Sequence, residues 1–494
     1  MLYSVKQLRQ IEQSALTLQE EGSLMHKAGV AGAQAALKLL NAPNQPVLVL
    51  AGPGNNGGDA FEVAARLANA GHRVFVLHHP PKSARSADSA NALARAQACG
   101  GITWLDAHVI PGDDYALVID GLFGIGLSQK KISTILQKQI TRINAMPCPV
   151  LALDVPSGLD ADTGNVVTTI AIQASNTITF MGDKPGLHTC DGRDYAGKVE
   201  VADLRIAAQC FPDSDMELNR EELFPAVLRR RRQNSSKGSN GSVHLIGGSG
   251  GMQGALILAS RASLFCGAGR TLAGYLDAAP GADVMQPEVM CHPARQLPAD
   301  DHAVVVIGPG LGNSVASFDL VSRALLSSSL LVMDADALNL MAQQPALSAL
   351  CNGRDPGTTL ITPHPLEAAR LLGCTVEQVQ ADRIGAAKKL ARRFSSVVIL
   401  KGSGTVITQP KGGIVINPNG NAGLATGGSG DVLSGACGAL IAQHKNIWQA
   451  ALAATWLHGA AADSLVQRGI GPVGLSPGEL ILEIRALLNR CNAV

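Results

Sequence analysis

The segment AGPGNNGGDA (51–60) sets two side-chain amides, Asn55 and Asn56, and one carboxylate, Asp59, among four glycines. Gly52, Gly54 and Gly57 have the G-x-G-x-x-G spacing of a dinucleotide turn. Such a turn needs an acidic residue at the end of the following strand to hold a ribose diol. That strand, RVFVLHH (73–79), ends instead in His78 and His79. A phosphate loop ending in G-K-[ST] does not fit either, because this one ends in Gly57-Gly58-Asp59. Asp59 suits a helix start as a cap on the dipole, but it would repel a phosphate. A tight glycine turn with a capping Asp is the plainer alternative. The paired amides offer donors and acceptor oxygens together, which suits an uncharged amide ligand or a cation held by oxygens.

Two more strand ends carry oxygen-bearing side chains. Asp120 closes ALVID (116–120) and is followed by Gly121, Gly124 and Gly126; Asp154 and Ser157 lie in LALDVPSG (151–158). One carboxylate after an apolar strand is commonly structural, but three such ends on one sheet edge make a site. The other candidate is NAGLATGGSGDVLSGACGALIAQ (421–443). Gly427, Gly428 and Gly430 can bring backbone N–H groups together, and a helix from Asp431 onward points its positive end at them. That is an anion hole for transferring phosphoryl oxygens, with Asp431 placed to take the proton of an attacking hydroxyl. A glycine turn with an Asp cap is again the alternative.

The elements that must position these groups alternate between strand and helix. Residues 5–20 and 26–40 read as helices, 46–52 as a buried strand, 59–70 as a helix and 72–79 as a strand. A helix over 85–98 and a strand at 102–106 follow, then strand-to-loop junctions at 116–126 and 149–158, and a polar, extended stretch with hairpins closes this half near Ile206. Residues 211–241 are rich in Pro, Ser, Asn and charge, which marks a junction, and Arg229–Arg232 read as a solvated linker face. The alternation then restarts. Apolar strands run into polar loops at 242–251, 303–312, 330–339, 358–372 and 396–404; 404–420 reads as a β-hairpin and 431–488 as mostly helical. The fold class is therefore α/β, with two doubly wound domains whose ligands belong at the carboxyl ends of strands.

Composition narrows the function classes. A chain of 494 residues exceeds one ordinary core. Forty basic against 39 acidic side chains leave a net charge of +1, so a nucleic-acid partner is not expected. The ten cysteines form no C-x-x-C pair and no zinc spacing, which suits reduced, buried thiols in a cytoplasmic protein. The N-terminus has no apolar signal region, and no apolar run approaches the roughly 20 residues of a membrane helix.

AGPGNNGGD, DGLFGIGL and LDVPSGLDADTG resemble the epimerase half of the NAD(P)H-hydrate repair enzymes over roughly residues 1–210. The resemblance implies a Rossmann-like domain over 1–212. Its substrate would be a nicotinamide cofactor, NADH or NADPH, hydrated at C6 of its reduced ring. Asn55, Asn56, Gly57, Gly58 and Asp59 would hold that hydrate, with Gly124, Ile125, Gly126, Leu127, Ser128, Gln129 and Lys130. Asn56, Asp120 and Ser157 would bind a potassium ion, and Asp154 would stand beside the reacting carbon. Oxygen ligands suit such a hard cation. Epimerisation can proceed by loss and return of water, for which one carboxylate acting as acid and base suffices; Asp154 is the expected one. His26, in LMHKAG (24–29), departs from the usual LMENAG.

The glycine-rich G-x-G-D signature is similar to that of ribokinase-like kinases. With GMQGALILASRASLFCGAG (251–269), IGPGLG (307–312), MDADALN (333–339), TPHPLE (362–367) and LKGSGTVI (400–407), it resembles the dehydratase half of the same family. That implies a ribokinase-like domain over 235–494, after a linker at 213–234. Ala255, Gly310, His364 and Asp431 would meet the hydrate. Lys401, Gly402, Ser403, Gly404 and Thr405, with Thr426, Gly427, Gly428, Ser429 and Gly430, would meet the nucleotide, ADP carried with magnesium. Ser236-Lys237-Gly238 departs from the usual His-Lys-Gly. The family further implies a homo-oligomer. Two alternatives stand beside this reading. The second half would be a vitamin-precursor kinase of the ribokinase-like group, against which TPHPLE and GPGLG argue; or residues 1–210 would be a binding module without catalysis.

Overall fold

The computed structural model describes residues 1–18, 23–81, 84–126, 131–298 and 300–491, and it divides into two units, Met1–Met216 and Glu217–Val494. The first unit is built on one sheet. Its strands are β1 (Pro46–Ala51), β2 (Arg73–His78), β3 (Ile102–Leu105), β4 (Leu117–Gly121), β5 (Val150–Leu153), β6 (Asn176–Phe180) and β7 (Lys198–Ala202). They lie in the order β3-β2-β1-β4-β5-β6-β7, and every pairing is parallel.

The reason for the continuous apolar runs is visible in β1. Val47, Val49 and Ala51 enter the core on one face of the sheet, while Leu48 and Leu50 enter the core on the other. Strand side chains alternate between faces, so a strand covered on both sides must be apolar throughout. The strand order reverses between β1 and β4, which opens a crevice at their carboxyl ends.

Two local expectations are corrected. In the stretch closing the first half, hairpin pairing is confined to an isolated antiparallel bridge between Leu159 and Val166, and β7 returns parallel to β6. The intervening 3-10 turn Pro185–Leu187 and short helix Gly192–Tyr195 supply the crossover that a parallel return requires. The helix after β1 spans Asn55–Asn69, not 59–70, and its N-cap is Gly54. Asn55 and Asn56 thus lie in its first turn, and Asp59 does not cap it.

Close packing explains two of the three fingerprint glycines. A Cβ on Gly52 would lie 1.7 Å from the Leu122 carbonyl oxygen, and one on Gly57 would lie 2.0 Å from that of Gly52. Nothing lies within 4 Å of such an atom on Gly54. The spacing lets the helix start approach β1 and β4. Gly57→Ala should therefore destabilise the first unit by about 3 kcal/mol or more, because the obstructing atom is backbone and cannot rotate away. Urea unfolding followed by a probe in this unit checks it.

The second unit has β8 (Met216–Leu218), β9 (Ser242–Gly247), β10 (Arg270–Tyr275), β11 (Met290–Pro293) and β12 (Val304–Ile307). It continues with β13 (Leu331–Met333), β14 (Thr359–Ile361), β15 (Val397–Leu400), β16 (Val406–Thr408) and β17 (Ile414–Ile416). The order is β11-β10-β9-β12-β13-β14-β15-β16-β17-β8. Strands from β11 across to β15 pair in parallel, and β16 with β17 forms the expected antiparallel hairpin.

The stretch 213–234 is more than a tether. It supplies the edge strand β8, and Phe224 and Val227 are buried in the second unit's core, where Phe224 packs on Trp456 at 6.1 Å. Its few apolar residues are enough to dock it; Arg229–Arg232 stay exposed. Among the described residues, no helix is long and apolar enough to cross a membrane.

Candidate functional site

In the first unit, a cavity of about 630 Å³ opens at the carboxyl ends of β1, β4 and β5. Asn55, Asn56, Asp59, Gly124, Ile125, Gly126 and Asp154 line it, so most of the expected hydrate-binding set is brought together. Gly57 and Gly58 do not line it; they abut Gly52 and Met25 in the helix packing. Leu127, Ser128, Gln129 and Lys130 lie outside the described residues.

Asp154 follows β5 directly, at φ +67°, in the left-handed region that residues other than glycine adopt uncommonly, aspartate more readily than most. Its N–H donates to the Ile178 carbonyl at 2.8 Å, which ties the turn to β6. Its Oδ1 meets the ammonium of Lys184 at 2.8 Å. Its Oδ2 lies 3.1 Å from where Gly124 would carry a Cβ.

Behind Asp154 is an oxygen cluster. Asn56 Nδ2 donates to the carbonyls of Phe123 (2.9 Å) and Leu153 (3.1 Å). That leaves Asn56 Oδ1 buried with no hydrogen-bond partner. Ser157 donates to both oxygens of Asp120, through Oγ to Oδ1 at 2.6 Å and through N–H to Oδ2 at 2.8 Å. Burial nevertheless pushes the Asp120 carboxyl up to about 6, against those hydrogen bonds. A fully buried carboxylate and an orphaned amide oxygen are groups that a monovalent cation would satisfy.

Glu12, from helix Val5–Leu18, also lines the cavity and was not singled out in the sequence. Burial and the neighbouring Asp154 raise its pKa, with Arg9 opposing. Burial, Asp154 and Glu12 raise Asp59 well above the carboxylate range. The cavity therefore holds protonatable acids beside an ion-paired carboxylate. No spacing relates Glu12 or Lys184 to the glycine loop, so only folding could reveal them.

His78 confirms that no ribose acid stands at the end of β2. Its ring meets Arg85 at 2.5 Å, and burial with that cation lowers its pKa to about 4. His26 faces Arg66 and Glu62 and is not among the cavity lining.

The second unit gathers its site from the ends of β12 through β15 and the start of helix Ser429–His444. Gly428 is the N-cap at φ +95° and offers no capping side chain; the Ser429 N–H donates to Thr426 O at 3.4 Å, and the next N–H groups, of Gly430 and Asp431, have no side-chain cap and suit an anion. The expected helix start at Asp431 moves back to Ser429, placing Asp431 in the first turn. Lys401 Nζ, after β15, pairs with Asp334 Oδ1 at 2.8 Å and lies 4.0 Å from Glu367 Oε2. A Cβ on Gly430 would stand 3.3 Å from that ammonium, which sets Lys401 against the helix start.

The charges are closely coupled. Burial, reinforced by Asp334, pushes the Asp431 carboxyl up to about 7, with Lys401 opposing. Burial also raises Glu367 to about 7, with Lys401 opposing and Asp334 adding to the rise. Burial works against the Lys401 ammonium, but Asp334, Glu367 and Asp431 outweigh it and raise its pKa. Near neutral pH the cluster can take up or release a proton.

Gly310 adjoins Ala255: a Cβ on the glycine would lie 3.2 Å from the alanine's. His364 caps helix Pro365–Leu372. Its Nδ1 accepts the Leu366 N–H at 3.2 Å, so a neutral ring carries its proton on Nε2, 3.2 Å from Glu367 Oε1. The Ser429 hydroxyl is used within the loop, donating to Leu424 O at 2.7 Å. Thr405 Oγ1 donates to Gly402 O at 3.1 Å.

Two buried supports were not legible. His458 Nε2 meets the Ser429 carbonyl at 3.0 Å, and burial lowers its pKa to about 4. Arg383 lies under Gly402 and donates to the Leu400 and Lys401 carbonyls at 3.2 Å.

Comparison with known proteins covers both units. A family model described as YjeF-related protein N-terminus matches residues 21–186, and one described as NAD(P)H-hydrate dehydratase matches residues 243–484. The chain is 36% identical over 509 residues to the bifunctional NAD(P)H-hydrate repair enzyme of Coxiella burnetii, covering 99% of each chain. It is 37% identical over 457 residues to the enzyme of the same description from Escherichia coli, covering 90% of this chain and 85% of that one. The ADP-dependent (S)-NAD(P)H-hydrate dehydratase of Neisseria meningitidis is 42% identical over 272 residues, covering 54% of this chain and 91% of that one.

Proposed function

Because the chain belongs to the bifunctional NAD(P)H-hydrate repair enzymes, we propose that Asp154 carries the proton in its epimerase site and Asp431 in its ADP-dependent dehydratase site. The observation that carries this reading is that each of these carboxylates stands in a cluster of ionisable groups at the carboxyl edge of its own sheet.

In the first site the hydrate loses its C6 hydroxyl as water, driven by the ring nitrogen, and water returns to either face. Asp154, held by Lys184, is the base for the incoming water. Asp59 and Glu12, whose surroundings favour the protonated form, are suited to protonate the departing hydroxyl. Asn55 and the Gly124–Gly126 turn frame the nicotinamide.

Asn56, Asp120 and Ser157 fit a potassium ion, since the first has an unpartnered buried oxygen and the second is a fully buried carboxylate held by hydrogen bonds from Ser157 and Leu122. When bound, potassium would supply fixed positive charge behind the Asn56 turn. Potassium should raise the melting temperature of the first unit. Asp120→Asn should abolish that rise while leaving the fold intact, as thermal melts in potassium and in a tetraalkylammonium salt would check.

In the second site Asp431 takes the proton of the C6 hydroxyl, whose oxygen attacks the β-phosphorus of ADP and releases AMP. The phosphate then leaves C6, and loss of a proton from C5 restores the ring double bond. Hydroxide is a poor leaving group, and phosphorylation solves that. The uncapped first turn of helix Ser429–His444 and Lys401 are placed to stabilise the transferring oxygens. Magnesium carried with ADP would neutralise phosphate charge against the neighbouring carboxylates. The dehydratase uses the S epimer, and the epimerase replenishes it from the R epimer. Incubating the chain with both epimers, ADP and magnesium tests the whole reading: dihydronicotinamide absorbance should recover completely, and no recovery would overturn it.

A further inference from the structure

We infer that Lys184 is a positioning residue for epimerisation, clamping Asp154 by one oxygen so that the other faces the cavity. The inference rests on the assignment of Asp154 as the epimerase proton carrier.

Lys184 is fully buried, and its ammonium is saturated. Nζ lies 2.8 Å from Asp154 Oδ1, 2.6 Å from Thr179 Oγ1 and 3.2 Å from each of the carbonyls of Phe180 and Gly182. Four acceptors surround three N–H groups, which leaves no room to swing away. Taking this ion pair out of water costs several kcal/mol per ion, so it is a poor device for stability alone. Its value lies in direction. The chain passes the end of β6, turns at Met181 with φ +67°, and returns Lys184 beneath the end of β5.

Asp154 is held on three sides. Its own N–H binds Ile178 O at 2.8 Å, Lys184 holds Oδ1, and the Phe180 N–H approaches Oδ1 at 3.4 Å. Oδ2 is left beside Gly124, on the cavity lining. The other charged groups around the cavity are Arg9 and Glu12 from the first helix, Asp59 from the helix after β1, and Asp88. Among the described residues, Lys184 is the one cation within 4.0 Å of Asp154. It therefore distinguishes Asp154 from Glu12 and Asp59, and makes it the carboxylate with a fixed orientation.

The test uses the full chain, with ADP-dependent dehydration of the S epimer as an internal control. Lys184→Met should lower epimerase kcat by about 100-fold with KM within about threefold, and leave dehydration unchanged. Adding Lys184→Met to Asp154→Ala should cost less than about threefold beyond Asp154→Ala alone, because both changes remove one unit. A retained kcat, a rise confined to KM, or a full additional loss in the double variant would each overturn the inference. If Lys184→Met fails to fold, Lys184→Gln decides. Its shorter, uncharged amide cannot hold Asp154 Oδ1 as the ammonium does, so kcat should fall about fivefold or more with KM kept; wild-type kcat there would overturn the inference. A wild-type chain that does not exchange the epimers would instead overturn the underlying epimerase assignment.

Discussion

Asp431→Asn should lower kcat for ADP-dependent dehydration by about 10³-fold, within the range a general base contributes, while epimer exchange continues at the wild-type rate. The amide has the size of the carboxylate, and the N-cap is Gly428, so the helix start should keep its geometry. What disappears is the acceptor for the C6 hydroxyl proton. KM for ADP should stay within about threefold, because Lys401 and the first-turn N–H groups remain. The wild-type pH profile belongs to the same result. A base must be unprotonated to act, and its raised pKa of about 7 moves the acidic limb up from the ordinary carboxylate range. Dehydration should therefore rise about tenfold per unit as pH climbs toward 7, then level off. Glu367 also titrates near 7 and interacts with Lys401, so the limb reports the cluster. Activity of Asp431→Asn within tenfold of wild type would remove Asp431 from the mechanism.

Asp154→Asn is the mirror experiment. Epimer exchange should fall by about 10²- to 10⁴-fold, and dehydration of the S epimer should not change. With a mixture of epimers, ADP and magnesium, the wild type should convert everything. The variant should stop once the S epimer is consumed, apart from the slow uncatalysed exchange. Asparagine retains an oxygen for Lys184 but cannot carry the proton, so the loss should appear in kcat rather than KM. Continued conversion of the R epimer at the wild-type rate would show that Asp59 or Glu12 does the work instead.

Much of both sites was legible because the ends of buried parallel strands announce themselves. An apolar run followed at once by Asp120, by Asp154 or by Lys401-Gly402 is a strand that must stop at the edge of a doubly wound sheet. Such an edge is where ligands bind. The motif around Gly427–Asp431 was legible for a similar reason, since glycines before an Ala-rich helix expose first-turn N–H groups. The resemblance to a family then supplied the substrate, which no strand pattern encodes.

By itself, the sequence determined the alternating α/β architecture, the division into two halves, the absence of a ribose acid after β2, and the strand-end identity of Asp120, Asp154 and Lys401. The tertiary structure decided the rest. It turned Gly52 and Gly57 from a presumed ligand turn into points where helix meets sheet, and it put Asn56 into a helix so that its Oδ1 is buried without a partner. It also brought Glu12, from 142 positions away along the chain, into the cavity of Asp154, and slid Lys184 beneath it. The physical reason is the same in each case. Periodicity and turn chemistry are local properties of the chain, whereas close backbone contact, burial and the pairing of charges depend on which distant segments the sheet order makes neighbours.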